Sequence, residues 1–330
     1  MGTVHPLPDR SFARSKTRAA HPAPVEWPSG PPTEQVYELV RTLELTITRR
    51  LDGALHGNHQ GITPGHGSEP GEARLYQPGD DPRRIDWNVT ARTQETHVRD
   101  QIADRDLEAW VVVDMSAAMR FGTTVADKAQ AGLIATAAVG FLTARNQNRL
   151  SAVLVSGPEL KVMPPRFGRD QVRAVLSNAA SAPPSEGLGR SDLAGAIDRV
   201  AIVSKRRGFV AVVSDFSGDA WVDPLARLGM RHDLLAITVH DPRELDVPPI
   251  GLVQLVDPAT GRRREVRVTS AVQRSFAEAA AEEVERRRFA VRRAGADLIE
   301  LATDGDWLAS IVGHVTRRRS QAVNAQVLRR

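Results

Sequence analysis

From Ala109 onward the chain alternates short apolar runs with helix-patterned segments, and this order constrains the fold more than any other feature. "AWVVVD" (109–114), "LSAVLVSG" (150–157), "GFVAVVSDF" (208–216), "HDLLAITVHD" (232–241) and "ADLIELAT" (296–303) are rich in β-branched residues and end in polar positions. Strands this uniformly apolar need cover on both faces. Helices are predicted over 125–145, 169–180, 192–203 and 270–294, with Gly295 placed to end the last of these, and a short one at "WVDPLARLG" (221–229). "LKVMPP" (160–165) is a candidate partner for the strand before it, and "LVQLVDPATGRRREVRV" (252–268) reads as a hairpin around Asp-Pro and Thr-Gly turn signals. A last helix is predicted over 305–319. Together these predict an α/β domain over 109–319, with a mostly parallel central sheet and helices on both faces.

The chain before Ala109 reads differently. Residues 1–32 combine prolines, small residues and basic charge, and are predicted to be a disordered arm, as is the basic tail 320–330. Residues 33–108 are predicted to hold an N-terminal helix followed by a polar strap. Val36, Leu39, Val40, Leu43, Ile47 and Leu51 fall at helical spacing, and the helix is expected to end near Gly53. Residues 54–73 read as loop; His56, His59 and His66 lack a rigid frame there and are better read as solvated than as metal ligands. In "GDDPRRIDW" (79–87), Pro78-Gly79 signals a turn, and Asp80, Asp81 and Asp86 can pair with Arg74, Arg83, Arg84 and Arg92. Ile85, Trp87 and Val89 alternate with polar residues, so one side of the strap is predicted to pack on the domain.

Several function classes are disfavoured by composition. The absence of cysteine removes disulfides, thiolate nucleophiles and zinc–cysteine sites. The longest apolar stretch, "AGLIATAAVGFLTA" (131–144), is too short to span a bilayer, and the first thirty residues lack an apolar core, so a cytoplasmic location without membrane insertion is expected. The net charge is only +4, the basic clusters at 205–207, 262–264 and 317–319 are scattered along the chain, and aromatics for stacking are few, which makes nucleic acid an unlikely partner. No G-x-x-x-x-G-K-[ST] loop is present, so no nucleotide is expected, and no G-x-S-x-G elbow surrounds Ser116.

What remains is a set of polar residues at strand ends. Ligands of open α/β sheets sit outside the carboxyl ends of the strands. Asp114 and Asp215 fall at two such ends, Ser116 follows the first, and Ser191 and Asp192 precede a helix. Asp114, Ser116, Ser191 and Asp215 are hard oxygen donors suited to Mg²⁺ or Mn²⁺. The alternative is that these residues cap helices and tie loops together. A metal-dependent phosphoryl-transfer hydrolase is a further alternative. Against it stand the missing Asp-x-Asp and the expectation that no lysine or histidine stands beside the strand ends.

"DMSAAM" (114–119), "GRSDLAGAI" (189–197) and "VVSDF" (212–216) resemble the three metal-site segments of a von Willebrand factor A domain. "RLYQPGDDPRRIDWNVTARTQETHVRD" (74–100) resembles the signature of domain-of-unknown-function family 58, a group of von Willebrand A-like proteins associated with MoxR-type AAA+ ATPases. The resemblance runs from about residue 34 to 319. It implies a Rossmann-like sheet and a non-enzymatic adaptor or assembly role, with a MoxR-type ATPase and a target protein complex as partners. It also implies a metal whose shell is completed by an acidic side chain from a partner. Asp114, Ser116 and Asp215 match the pattern, and Ser191 stands where threonine is usual. Ala118 replaces a serine, and Gly61 and Pro70 depart from the expected serine and phenylalanine. Mg²⁺ commonly keeps several waters, so the loss at Ala118 predicts a weakened or degenerate site.

Overall fold

Val111, Val112 and Val113 are fully buried, and they form the central strand on which the molecule is built. The computed structural model describes residues 34–55, 64–77, 80–102, 108–124, 126–145, 148–182, 190–314 and 317. The elements run in chain order α1 (Glu34–Leu55), β1 (Pro64–Leu75), α2 (Trp87–Thr93), β2 (His97–Ile102), β3 (Glu108–Asp114), α3 (Lys128–Arg145), β4 (Arg149–Ser156) and β5 (Glu159–Arg166). They continue with α4 (Gly168–Ala180), α5 (Leu193–Val203), β6 (Phe209–Ser214), α6 (Val222–Gly229), β7 (Asp233–His240), α7 (Pro242–Leu245), β8 (Gly251–Val256), β9 (Arg263–Val268), α8 (Ser270–Arg293) and β10 (Asp297–Ala302). Residues 307–314 add a closing helical segment.

A six-stranded sheet in the order β10-β7-β6-β3-β4-β5 organises these elements. All neighbours are parallel except β4 and β5, which form an antiparallel hairpin at the edge. Counting only the strands of this sheet, the order is that of the doubly wound Rossmann-like fold with an antiparallel edge strand. This is the mostly parallel α/β architecture that the sequence and the von Willebrand A resemblance imply.

The period-2 alternation of β3 divides the core in two. Val111 and Val113 face a layer with Leu133 and Val139 of α3, Val175 of α4, and Leu308 and Ile311. Trp110 and Val112 face Ile197 and Val200 of α5, Leu225 of α6 and Val291 of α8. Each fully buried valine or leucine contributes about 1.5–3 kcal/mol of transfer free energy. α1 joins the first layer through Val40 and Ile47. Between them on the helix, buried Glu44 accepts a 2.8 Å bond from Arg173 Nε of α4. The predicted hairpin is present as antiparallel β8 and β9. Gly295, at φ 72°, ends α8 in the left-handed region that glycine adopts without strain.

Two expectations for the N-terminal region are corrected. The segment read as loop contains β1, which pairs antiparallel with β2 from Pro64 onward. The pairing carries register shifts at Pro64/Glu69 and Pro70/Ala73, and such irregularities let a ribbon accommodate prolines and glycines that a regular strand excludes. The apolar alternation at Ile85, Trp87 and Val89 does not form a strand with one packed side. Asp86 caps α2 by accepting from the N–H groups of Asn88 and Val89, and Trp87, the first helical residue, is 70% exposed. Asp81 similarly accepts from Arg83 N at a short 3₁₀ turn, and Asp80 accepts from Gln77 N. These carboxylates serve turns and helix starts, where short acidic side chains satisfy orphan backbone donors. The arms 1–32 and 320–330, and His56 and His59, lie outside the described residues.

Candidate functional site at the carboxyl edge of the sheet

The strands β3, β6 and β7 run parallel, so their last residues and the loops after them share one edge of the sheet. Asp114 ends β3 and is 1% exposed. Its Oδ1 accepts from Ser116 N at 3.0 Å, and its Oδ2 accepts from the Ser214 hydroxyl of β6 at 2.7 Å. Burial, and then the neighbouring Asp215 carboxylate, push the Asp114 carboxyl above its ordinary range. Ser214 Oγ also accepts from Phe216 N at 3.0 Å. Phe216 is fully buried with φ 52°, a conformation that costs a non-glycine residue about 1–3 kcal/mol and persists where the surroundings impose it. Here Trp221 does so: its ring meets Phe216 edge-on at 4.9 Å, and its Nε1 donates to the carbonyls of Phe216 and Gly218.

Asp215, between Ser214 and the strained Phe216, accepts from Ser217 N at 3.1 Å and from Lys128 Nζ at 2.9 Å. Lys128 Nζ also donates to Glu244 Oε1 at 2.6 Å, and only 2% of the lysine side chain is exposed. Burial alone would pull the ammonium pKa down, but Asp215 and Glu244 together reverse this and raise it. Glu244 in turn accepts from Asp241 N in the capping box of α7. Fully buried Asp241 accepts from Thr123 N and Oγ1, Arg243 N and Thr303 Oγ1, at 2.6–2.9 Å. A continuous polar network thus runs from the loop after β3, through the start of α3 and the end of β7, to the turn after β10.

The structure brings Asp114 and Asp215 together and keeps Ser116 on the Asp114 loop. Ser191 lies on the loop entering α5, next to Asp192, whose N–H bonds to the carbonyl of Gly157 beyond β4 and whose carboxylate caps α5. The hydroxyls of Ser116 and Ser191 are both buried and have no hydrogen-bond partner. Sequence reasoning missed Lys128 and Asp241. The expectation that no lysine or histidine stands beside the strand ends is overturned by Lys128, which reaches Asp215 across 87 positions of sequence, and by His240, the last residue of β7. Asp241, by contrast, ends "HDLLAITVHD" just as Asp114 ends its own run, and that signal was available.

Two features suit a divalent cation: the unpartnered hydroxyls of Ser116 and Ser191. Two oppose it. Both oxygens of Asp114 are engaged by protein donors, and Asp215 is neutralised by a buried ammonium. Among the described residues no three Asp, Glu or His side chains converge as a ligand group. As folded, the donor set does not fit a dication bound in the usual manner of a strand-end metal site.

Residues 72–286 match the family described as "Protein of unknown function DUF58". The chain belongs to the DUF58 family. Among its relatives is the uncharacterized protein Rv1480 of Mycobacterium tuberculosis, 47% identical over 285 residues, which cover 86% of this chain and 90% of that protein. An uncharacterized Mycobacterium avium protein is 39% identical over 162 residues, covering 49% of this chain and 96% of its own length. Among solved structures, an aerotolerance-related membrane protein from Bacteroides fragilis aligns with TM-score 0.43 and 12% identity, covering 64% of this chain and 99% of that one. The conserved hypothetical protein BatB from Bacteroides thetaiotaomicron aligns with TM-score 0.38 and 11% identity, over 66% of this chain and 99% of its own. In this DUF58 chain no described helix is long and apolar enough to cross a membrane.

Proposed function

We propose that this DUF58 protein is a non-enzymatic, cytoplasmic adaptor that works with a MoxR-type AAA+ ATPase in assembling or activating another protein complex. The carboxyl edge of its sheet is the docking face. The observation that carries the reading is the concentration of charge withdrawn from water there: buried Asp114, Lys128 and Asp241, with half-buried Asp215 paired to the lysine. Burying ionised groups costs several kcal/mol each before partners compensate, and packing alone gives no reason to assemble them at a ligand-facing edge. Family membership supports the partner class, through the association of DUF58 proteins with MoxR-type ATPases. The Mg²⁺ or Mn²⁺ site at Asp114, Ser116, Ser191 and Asp215 is, on this reading, degenerate.

Lys128 supplies one group that a phosphoryl-transfer hydrolase would use. Its ammonium is nonetheless shared between two carboxylates, and Asp114 is buried with both oxygens occupied, so neither is presented to a substrate. The test is direct binding between the purified full-length protein and the MoxR-type ATPase encoded in the same genome, with Asp114→Ala and Asp215→Ala alongside. The expected result is binding by wild type, at least about tenfold weaker, or about 1.4 kcal/mol, in both variants. Absence of wild-type binding overturns the partner, and equal binding by all three overturns the docking face.

A further inference from the structure

We infer that the Lys128 ammonium is the resident cation of the strand-end site, taking over the charge-balancing role of a divalent metal so that the site is assembled without one. Lys128 is the first residue of α3, where the helix dipole disfavours positive charge. It is also buried, which disfavours the charged form again. A lysine placed for helix stability or for packing alone would satisfy neither condition. What holds it is a specific pair of contacts: 2.9 Å to Asp215 Oδ2 on the loop after β6, and 2.6 Å to Glu244 Oε1 on α7. One ammonium thus joins the start of α3, the loop after β6 and α7, and through Asp215 it occupies a carboxylate that the predicted metal set would need.

The placement also accounts for Ala118. A hydroxyl at that position serves a metal shell, and where the cation arrives covalently attached to α3 no such ligand is needed. Asp114 is then free to act as a hydrogen-bond acceptor for Ser116 N and Ser214 Oγ, as it does. Ser116 and Ser191 keep neutral hydroxyls at the edge with no ion to ligate.

The test uses full-length wild type and Lys128→Met, which keeps the reach and loses the charge. Free Mn²⁺ is followed by electron paramagnetic resonance, and thermal unfolding is followed with a chelator and with about 5 mM Mn²⁺. Wild type is expected to leave the Mn²⁺ signal unchanged and to shift its melting temperature by less than about 1 °C. Lys128→Met is expected to melt about 8 °C lower with the chelator, to bind Mn²⁺ and to recover about half of that loss with it. Mn²⁺ binding by wild type that disappears in Asp114→Ala overturns the inference. So does a folded Lys128→Met that ignores Mn²⁺, because the lysine is then an ordinary ion pair. If Lys128→Met does not fold at all, Lys128→Met/Asp215→Asn, which removes the carboxylate together with its counter-charge, is expected to restore a cooperative melt. Failure to restore it overturns the inference as well.

Discussion

The two ends of the central sheet solve the same problem with different chemistry. At the amino end, the chain must close polar groups where α5 leads into β6 and where β7 begins. The buried groups there are neutral: His232 lies between Ser204 Oγ at 3.1 Å and Gly208 N at 3.3 Å, and the Arg207–Asp233 ion pair beside it is exposed. Burial, and then the nearby Arg231, lower the His232 pKa and keep the ring uncharged. The backbones approach so closely there that a Cβ at Gly208 would lie 2.2 Å from the Glu108 carbonyl. At the carboxyl end, the network is built from Asp114, Lys128, Asp215, Glu244 and Asp241. Among the described residues, then, buried charge gathers at the carboxyl end of the sheet, while the ion pairs of the amino end, such as Arg207–Asp233, lie in solvent, where they contribute little.

The largest expected effect comes from removing the best-connected charge. Asp241→Ala strands the N–H groups of Thr123 and Arg243 and the hydroxyls that now donate to the carboxylate. Unsatisfied buried groups cost about 1–3 kcal/mol each, partly relieved by water, so a loss of about 3 kcal/mol in denaturant unfolding is expected. A loss below about 1 kcal/mol would show that the charged end is no more demanding than the neutral one.

The two ends should also separate by pH. Burial alone would raise the Asp241 pKa, but its hydrogen bonds from Thr123, Arg243 and Thr303 reverse this and hold it below the ordinary 3.8. A carboxylate with a depressed folded-state pKa contributes stability that is complete above the unfolded value and is lost as pH falls below it. Asp241→Ala is therefore expected to flatten the steep acid limb below pH 3.8. His232 has a pKa lowered from 6.5, so its protonation favours the unfolded chain and stability falls as pH drops below 6.5. His240, lowered mainly by burial, adds to the same window. His232→Gln should flatten the mildly acid limb in part and leave the strongly acid limb intact. Unfolding curves collected across both windows test the separation, and the same change in both limbs from either variant would break it.

A smaller effect, of opposite sign, is expected at Asp114. Asparagine keeps an acceptor for Ser116 N and a polar group for Ser214, and removes a buried charge beside Asp215. Asp114→Asn is expected to be as stable as wild type or up to about 1 kcal/mol more stable in urea unfolding, while losing ATPase binding. Destabilisation by more than about 2 kcal/mol would show that the Asp114 charge is needed by the fold.

What the sequence made legible follows from how local each signal is. The strands of the main sheet were readable because runs such as Val111–Val113 carry β propensity and burial in adjacent residues. The α8 terminus was readable because Gly295 alone specifies it. β1 was not, since its pairing with β2 is bulged at prolines and its sequence, "PGHGSEPGEARL", has no apolar period. Asp114 and Asp215 were readable as polar residues ending apolar strands. Lys128 was not, because its role rests on Asp215 and Glu244, 87 and 116 positions away. Its own neighbourhood, "DKAQAG", looks like an ordinary helix start. Opposite-charge contacts at such separations leave no period or spacing in the chain.

The smallest expected effect concerns a region that belongs to neither sheet end. Trp87 opens α2, and none of the α2 residues is buried. An exposed tryptophan at the first turn of a short capped helix contributes little to folding, because its apolar surface stays in water and the cap comes from Asp86. Trp87→Ala is expected to change unfolding free energy by less than about 0.5 kcal/mol. Asp86→Ala, which removes the acceptor for two backbone N–H groups, should cost about 1 kcal/mol by the same measurement. The order of these two values tests whether the strap is held by its caps or by its aromatic side chain. Were Trp87 the more costly, the strap would have to pack through the tryptophan in solution, as its apolar alternation first suggested, and the contrast between a charged sheet edge and a lightly attached strap would fail.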